Sequence, residues 1–271
     1  MPAVTGAREP ATLDEVAHAF ASMMAHLVPA IPGAWARSRA GVYAAVSGAP
    51  MPMMNGVLVA DPTSDPAAVT ALLREVAATA LPHCIQLRPH ASDELLAVPE
   101  AAGMHPYAAM PLMTLSQPAG FLQAPAASEI SLHELEPGEA SVHVALAAEG
   151  FAMPEEILAT FVSEAVLSLP EVRAYVGEVD GAAVATAIGV RHDRLAGIFN
   201  VATLPAYRRR GYGAAITAFA VRDAFDEGAD AAALQTSDMG RGVYESLGFE
   251  LAEHWSCWVS VEPGAEGAAT A

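Results

Sequence analysis

Leu13, Val16, Phe20, Met23 and Leu27 recur at helical spacing, and Thr12 with Glu15 three residues on gives a capping-box pattern, so an amphipathic helix is predicted first. Two β-like runs follow, Gly41 to Val46 and Asn55 to Ala60. Asp65 and Pro66 then open a helix carrying Val69, Leu72, Leu73 and Val76. A short strand from Cys84 to Leu87, a helix from Asp93 to Ala102 ended by Gly103, and an extended run toward Leu115 complete the first half.

The second half reads as a strand (Ile130 to Leu135), two helices (Glu139 to Ala148 and Glu155 to Leu167) and three strands (Val172 to Glu178, Ala182 to Val190 and Ile198 to Thr203). A long helix from Gly211 to Asp226, a strand from Ala231 to Gln235, a short helix around Tyr244 and a last strand region, Phe249 to Val261, follow. The order is mixed α/β. Between the halves, SQPAGFLQAPAAS lacks a clear period and suits a linker. The expected organisation is a first domain at 1–116, a linker at 117–128, a second domain at 129–261 and a frayed tail at 262–271.

The halves echo each other. VLVADP, helix, CIQLR, helix, AGM in the first matches VATLP, helix, ALQTS, helix, LGF in the second. Pro62 aligns with Pro205, Gln86 with Gln235 and Gly103 with Gly248, at offsets of 143 to 149 residues, so small gaps are needed.

Composition narrows the function. The chain has 271 residues, 53% of them hydrophobic, which suffices for folded cores. Its net charge of -18 repels nucleic acid and anionic membrane surfaces. All 13 basic residues are arginine, so Schiff-base lysine mechanisms and lysine-dependent phosphate loops are excluded. The cysteines, Cys84 and Cys257, lie too far apart in sequence for a disulfide framework and are too few for a four-cysteine zinc site; buried thiols and no metal are expected. The amino terminus lacks the pattern of a secretory leader, and no apolar run is long enough to span a bilayer, so a cytoplasmic protein is expected.

The chemistry concentrates in NVATLPAYRRRGYGAAITAFAV, residues 200–221. A strand, a proline, three arginines and two glycines precede an alanine-rich helix. A helix start presents unpaired N–H groups and a positive dipole end, Gly211 and Gly213 leave room for a phosphate near the backbone, and the arginines add fixed positive charge. The pattern reads as a diphosphate cradle, the alternative being a charged loop before a surface helix. A Walker loop would need lysine, and a dinucleotide fingerprint would need a third glycine.

The stretch resembles the GNAT superfamily of acyl-CoA-dependent N-acyltransferases, whose signature Q/R-x-x-G-x-G/A joins the fourth strand to the third helix. Arg208, Gly211 and Gly213 occupy the signature positions, and Pro205 and YESLGF match two further habits of the family. The resemblance covers about 130–261. It implies two tandem domains, each a mostly antiparallel twisted sheet flanked by helices. It also implies that Val201, Ala202 and Thr203 pair with the pantetheine arm of acetyl-CoA. Arg208, Arg209, Arg210, Gly211, Tyr212, Gly213 and Ala214 would then hold the pyrophosphate. Ser237 either contacts the pantetheine or caps the following helix. Tyr244 matches the residue whose phenol protonates the departing thiolate, the alternative being a packing role. The carboxylate base that some members place early in the fourth strand falls here on Gly197, with Asp193, Glu149 and His254 as stand-ins.

In the first half PTSDPAA replaces PAYRRRGYG, and its aspartates and proline would repel a pyrophosphate and remove a donor, so that half is expected not to bind CoA. By analogy with tandem GNAT proteins resembling mycothiol synthase, it would cover one side of the acceptor cleft, with Trp35, Met51, Met53 and Met54 either lining that pocket or packing in the core. The resemblance thus implies acetyl transfer from acetyl-CoA to an amine of a small molecule by direct attack, in a monomer or homodimer; the alternative is a non-catalytic acyl-CoA sensor.

Overall fold

The computed structural model describes residues 11–116, 129–237 and 240–261. The expected linker and tail lie outside the described residues. In the first half, α1 (Leu13–Leu27) starts at Thr12, whose side chain and that of Glu15 form the expected capping box. There follow β1 (Trp35–Arg39), β2 (Val42–Val46), β3 (Asn55–Val59), α2 (Pro66–Ala77), β4 (Cys84–Leu87), α3 (Asp93–Ala101), β5 (His105–Pro106) and β6 (Met110–Ser116). The second half carries β7 (Ser131–Leu135), α4 (Ala140–Phe151), α5 (Glu155–Phe161), α6 (Glu164–Leu167), β8 (Val172–Val179), β9 (Ala182–His192), β10 (Leu195–Thr203), α7 (Tyr212–Asp226), β11 (Ala231–Gln235), α8 (Arg241–Ser246) and β12 (Glu250–Val259).

Two details differ from the sequence reading. The helix expected from Glu155 to Leu167 is two helices, because Ser163 adopts an extended conformation and its side chain accepts the Val166 N–H, starting a new helix. The strand β1 was not expected; its WARSR sequence has no apolar alternation because it is an exposed edge, held by its hairpin with β2.

All strands join one mixed sheet in the order β1-β2-β3-β4-β12-β6-β11-β10-β9-β8-β7, with β5 beside β12. Pairing is antiparallel except for β3 with β4 and β10 with β11, the two matching steps of the repeat. The halves exchange strands at the centre: β12 pairs with β4, and β6 inserts between β12 and β11.

Helix α1 belongs to the first half by sequence but packs on β1 and β2 on one side and on β9, β10 and β11 on the other. Its buried stripe of Val16, Phe20, Met23 and Leu27 joins α4 and the fully buried Trp255 in one core. On the other side, α7 covers the second-half sheet with Ile216 and Val221 between Ala214, Ala218 and Ala220, whose small side chains let helix and strands approach closely.

The interlock is ionic as well. Arg88, just past β4, donates from Nε to both oxygens of Glu253 on β12 at 2.8 and 2.9 Å, and from Nη1 to the Ala60 carbonyl at 3.3 Å. Trp255 Nε1 donates to Glu253 Oε2 at 2.9 Å, so this buried carboxylate is fully engaged.

Candidate active site

The strands β10 and β11 run parallel and pair only from Leu195 with Ala231 to Gly197 with Ala233. Beyond that point they part. The cause is local: Asn200 takes a left-handed backbone, φ +50°, and a bulge between Phe199 and Ala202 bends β10 while keeping it on β9. Among the described residues, the edge of β10 from Ile198 to Thr203 that faces β11 has no partner strand, as an added extended segment requires. Val201, Ala202 and Thr203 lie on this stretch.

At the end of that edge the chain turns into α7. Arg209 (φ +60°) and Gly211 (φ +84°) both adopt the left-handed conformation, the second at no steric cost because it is glycine. Gly211 is the N-cap, and no side chain caps the helix. The first-turn N–H groups, Tyr212 to Ala214, therefore have no side-chain acceptor. A Cβ on Gly213 would stand 3.4 Å from Thr203 Oγ1, so helix start and strand end abut.

The three arginines divide their work. Arg208 spends its guanidinium on structure, donating from Nε to the Thr203 carbonyl at 3.2 Å and from Nη2 to the Gly150 carbonyl at 2.5 Å, which ties β10 to the end of α4. Arg210 donates to the Ala206 carbonyl at 3.3 Å and lies over the Tyr207 ring. Arg209 is exposed and makes no hydrogen bond or ion pair among the described residues.

Tyr244, on α8, packs edge-on against Phe249 with ring centroids 6.1 Å apart. Burial pushes its phenol up to about 12, and its hydroxyl has no partner among the described residues, so it is a protonated donor with a vacant hydrogen bond. Ser237 is exposed and does not cap α8, whose N-cap is Gly240; its carbonyl instead accepts the Gly240 N–H at 3.0 Å.

The position of the missing base is filled from the other half. A Cβ on Gly197 would overlap the Met23 thioether and the Phe199 ring. The glycine is therefore a packing requirement of α1, reinforced by Phe20 stacked on Phe199 at 5.8 Å. Of the three stand-ins, Asp193 sits in the β9–β10 turn, Glu149 is exposed near the end of α4, and His254 is exposed on β12.

Sequence reasoning did not single out His143. It is fully buried on α4, with Nδ1 2.6 Å from Thr186 Oγ1. Thr186 Oγ1 donates to the Tyr175 carbonyl, so it accepts from His143, whose Nε2 is an unpartnered acceptor among the described residues. Burial depresses the imidazole to about 4. An unpaired histidine on the apolar face of a helix was the available signal.

The first half lacks each of these features. The pairing of β3 with β4 continues to Leu58 with Gln86 and Val59 with Leu87, and the Arg88 N–H bonds to the Val59 carbonyl at 3.2 Å, so no slot opens. Asp65 caps α2 by accepting the Ala67 N–H at 3.0 Å, where the second half has a bare glycine. Of the suggested pocket residues, Trp35 packs on the first-half core, Met53 touches Cys257 and Met54 packs against the core beneath α1.

Comparison with known proteins agrees with this geometry. The model of the acetyltransferase (GNAT) family matches residues 140–249. A GCN5-related N-acetyltransferase from Kribbella flavida superposes with a TM-score of 0.69 at 22% identity, over 92% of this chain and 96% of that one. One from Sphaerobacter thermophilus gives 0.60 at 17% identity, over 86% and 80%. A tandem GNAT protein from the clavulanic acid biosynthesis pathway gives 0.56 at 17% identity, over 93% and 97%. No curated protein matches the chain in sequence. Residues 140–249 are thus a domain of the acetyltransferase (GNAT) family, in a chain whose fold is shared with a tandem GNAT protein.

Proposed function

We propose that the chain transfers an acetyl group from acetyl-CoA to an amine of a small molecule, within a ternary complex, and that only the second half binds the cosubstrate. The observation that carries this reading is the contrast between equivalent strand pairs: β10 and β11 part after Gly197 while β3 and β4 stay paired through Val59 and Leu87. Extended pantetheine fits along Val201 to Thr203, and the pyrophosphate fits the uncapped start of α7, with backbone from Arg209 to Ala214 and the Arg209 side chain as its partners. Ser237 stands near the end of β11 as a further pantetheine contact.

A neutral amine attacks the thioester carbonyl. The C–N bond forms, the C–S bond breaks, Tyr244 gives its proton to the departing thiolate and is reprotonated from solvent, and the surplus amine proton passes to water. Water is the acceptor because Gly197 supplies no carboxylate. That same absence favours a second reading, an acyl-CoA sensor without turnover. No helix among the described residues is long and apolar enough to cross a membrane, and the net charge of -18 disfavours nucleic acid as a partner. We place the functional boundaries at 1–116 and 129–261, in the cytoplasm, with monomer and homodimer both compatible.

Calorimetric titration with acetyl-CoA tests the reading: one site per chain is expected, two sites would refute the inert first half, and none would refute the cradle. Thiol release from acetyl-CoA with a panel of amines then separates enzyme from sensor.

A further inference from the structure

A cavity of about 280 Å³ lies between the two halves, away from the cradle. Glu15, His18 and Ser22 of α1 form one wall, Tyr43 of β2 another, and Leu195 and Ala231 the floor. Asp193 and Arg194 stand at the β9–β10 turn. Most of the remaining lining is apolar: Ala11, Val16 and Ala19. At about 30 Å³ per water-sized group the space holds roughly nine non-hydrogen atoms.

The charged residues lining this cavity are Glu15, Asp193 and Arg194. Arg194 is neutralised, with Nε donating to Asp230 Oδ2 at 2.6 Å. The Glu15 carboxylate accepts the Thr12 N–H at 2.7 Å, and the hydrogen bonds from Thr12, with a smaller contribution from the Arg194 charge, hold its pKa below the usual range, so it stays ionised. Among the described residues Asp193, whose side chain is largely exposed, forms an ion pair with His192 Nε2 at 3.9 Å. Burial raises the Tyr43 phenol above its usual value and the Asp193 charge adds to the shift, so that carboxylate acts across the cavity on Tyr43. An apolar body with a cation at the Asp193 end is the complement.

The floor residues belong to the same two strands as the slot. Leu195 and Ala231 lie two residues before Gly197 and Ala233, where β10 and β11 part, a distance of about 7 Å along the strands. The Met23 side chain, fully buried, stands over Gly197, and it is an unbranched thioether with several rotatable bonds. A ligand held at Asp193 must therefore span at least this distance to present a second group at the slot.

We propose that this cavity seats the acceptor and that the acceptor is a linear diamine or polyamine, one ammonium held by Asp193 and Glu15 beside Tyr43 while the second nitrogen, about 7 Å or more away, reaches the slot past Met23. This rests on the acyl-transfer reading, but the seat itself is tested without acetyl-CoA. Calorimetry on the full chain would compare 1,6-diaminohexane with hexylamine, which has the same apolar body and one cation fewer. Diaminohexane is expected to bind about tenfold more tightly, and Asp193→Asn to erase the difference. Asparagine tolerates the left-handed conformation of residue 193, φ +54°, so the variant keeps the turn. Ser22→Phe, which fills the cavity, should weaken both amines.

Equal binding of the two amines, or an Asp193→Asn affinity within twofold of the parent, would overturn the proposal. If diaminohexane binds but releases no thiol from acetyl-CoA, the acyl-transfer reading falls and the seat stands. If thiol release with diaminohexane is unchanged in Asp193→Asn, the seat falls and the reading stands.

Discussion

Gln235 donates its Nε2 to Oε1 of Gln86 at 2.8 Å, and the two residues occupy the same position in the two halves of the chain, 149 residues apart. The repeat thus meets itself, across the two exchanged strands β12 and β6 that separate β4 from β11. Each half completes its sheet with a strand from the other, which makes the two inseparable in folding.

A single cooperative urea transition is therefore expected, with Glu253→Gln lowering stability by about 2 kcal/mol because the buried Arg88 guanidinium then keeps only the exposed Asp14 carboxylate, 2.7 Å from Nη1, as its ion pair. The double change Arg88→Met with Glu253→Leu should recover only part of that loss, because the buried Trp255 Nε1–H and the Ala60 carbonyl then lose their partners. Two resolved transitions would show that the halves fold independently.

Replacement of His143 by Phe should flatten the acid limb of stability. Its pKa is about 4 when folded against an ordinary 6.5, so the unfolded chain binds the extra proton between those values. The contribution is complete above pH 6.5 and falls as pH drops toward 4, by about 3 kcal/mol in all. Urea midpoints at pH 7 and pH 4.5 should differ less in the variant than in the parent.

Gly197→Glu supplies the carboxylate that the family resemblance implies near this position, yet it should not raise turnover. Its Cβ overlaps Met23 and Phe199, so a loss of about 2 kcal/mol or more is expected. Combining it with Met23→Ala should return part of the stability; a thermal melt of the three chains decides. Higher turnover in the single variant would mean that α1 yields more easily than its packing suggests.

Tyr244→Phe should cut turnover about a hundredfold while leaving acetyl-CoA affinity within twofold. Because the folded phenol titrates near 12 rather than 10, it favours the folded state below pH 10, and that contribution is lost as pH rises through 12. Equal turnover in the variant would assign Tyr244 to packing against Phe249.

Arg208 and Arg209 should respond differently to glutamine. Arg209→Gln is expected to weaken CoA binding several-fold with stability unchanged, since its side chain has no protein partner among the described residues. Arg208→Gln removes the ties to Thr203 and Gly150 and should lower stability as well. Calorimetry and melting curves on both variants distinguish a phosphate ligand from a loop brace.

Several elements were determined by the sequence alone, because their causes are local. The Thr12–Glu15 box starts α1, Asp65 and Pro66 start α2, and Gly211 and Gly213 mark a helix start without a side-chain cap among the described residues. The spacing of Pro62, Gln86 and Gly103 against Pro205, Gln235 and Gly248 exposed the repeat, since equivalent turns need equivalent residues; Gly103 and Gly248 both take positive φ, +72° and +95°. Tertiary structure decided the rest. Hydrophobic alternation says that a strand is buried but not beside which strand, so nothing in Met110–Ser116 or Glu250–Val259 announced their exchange. Gly197 reads as a lost base along the chain. Only folding brings Met23 over it from 174 positions earlier, and shows that the space a carboxylate would need is filled by a helix of the other half.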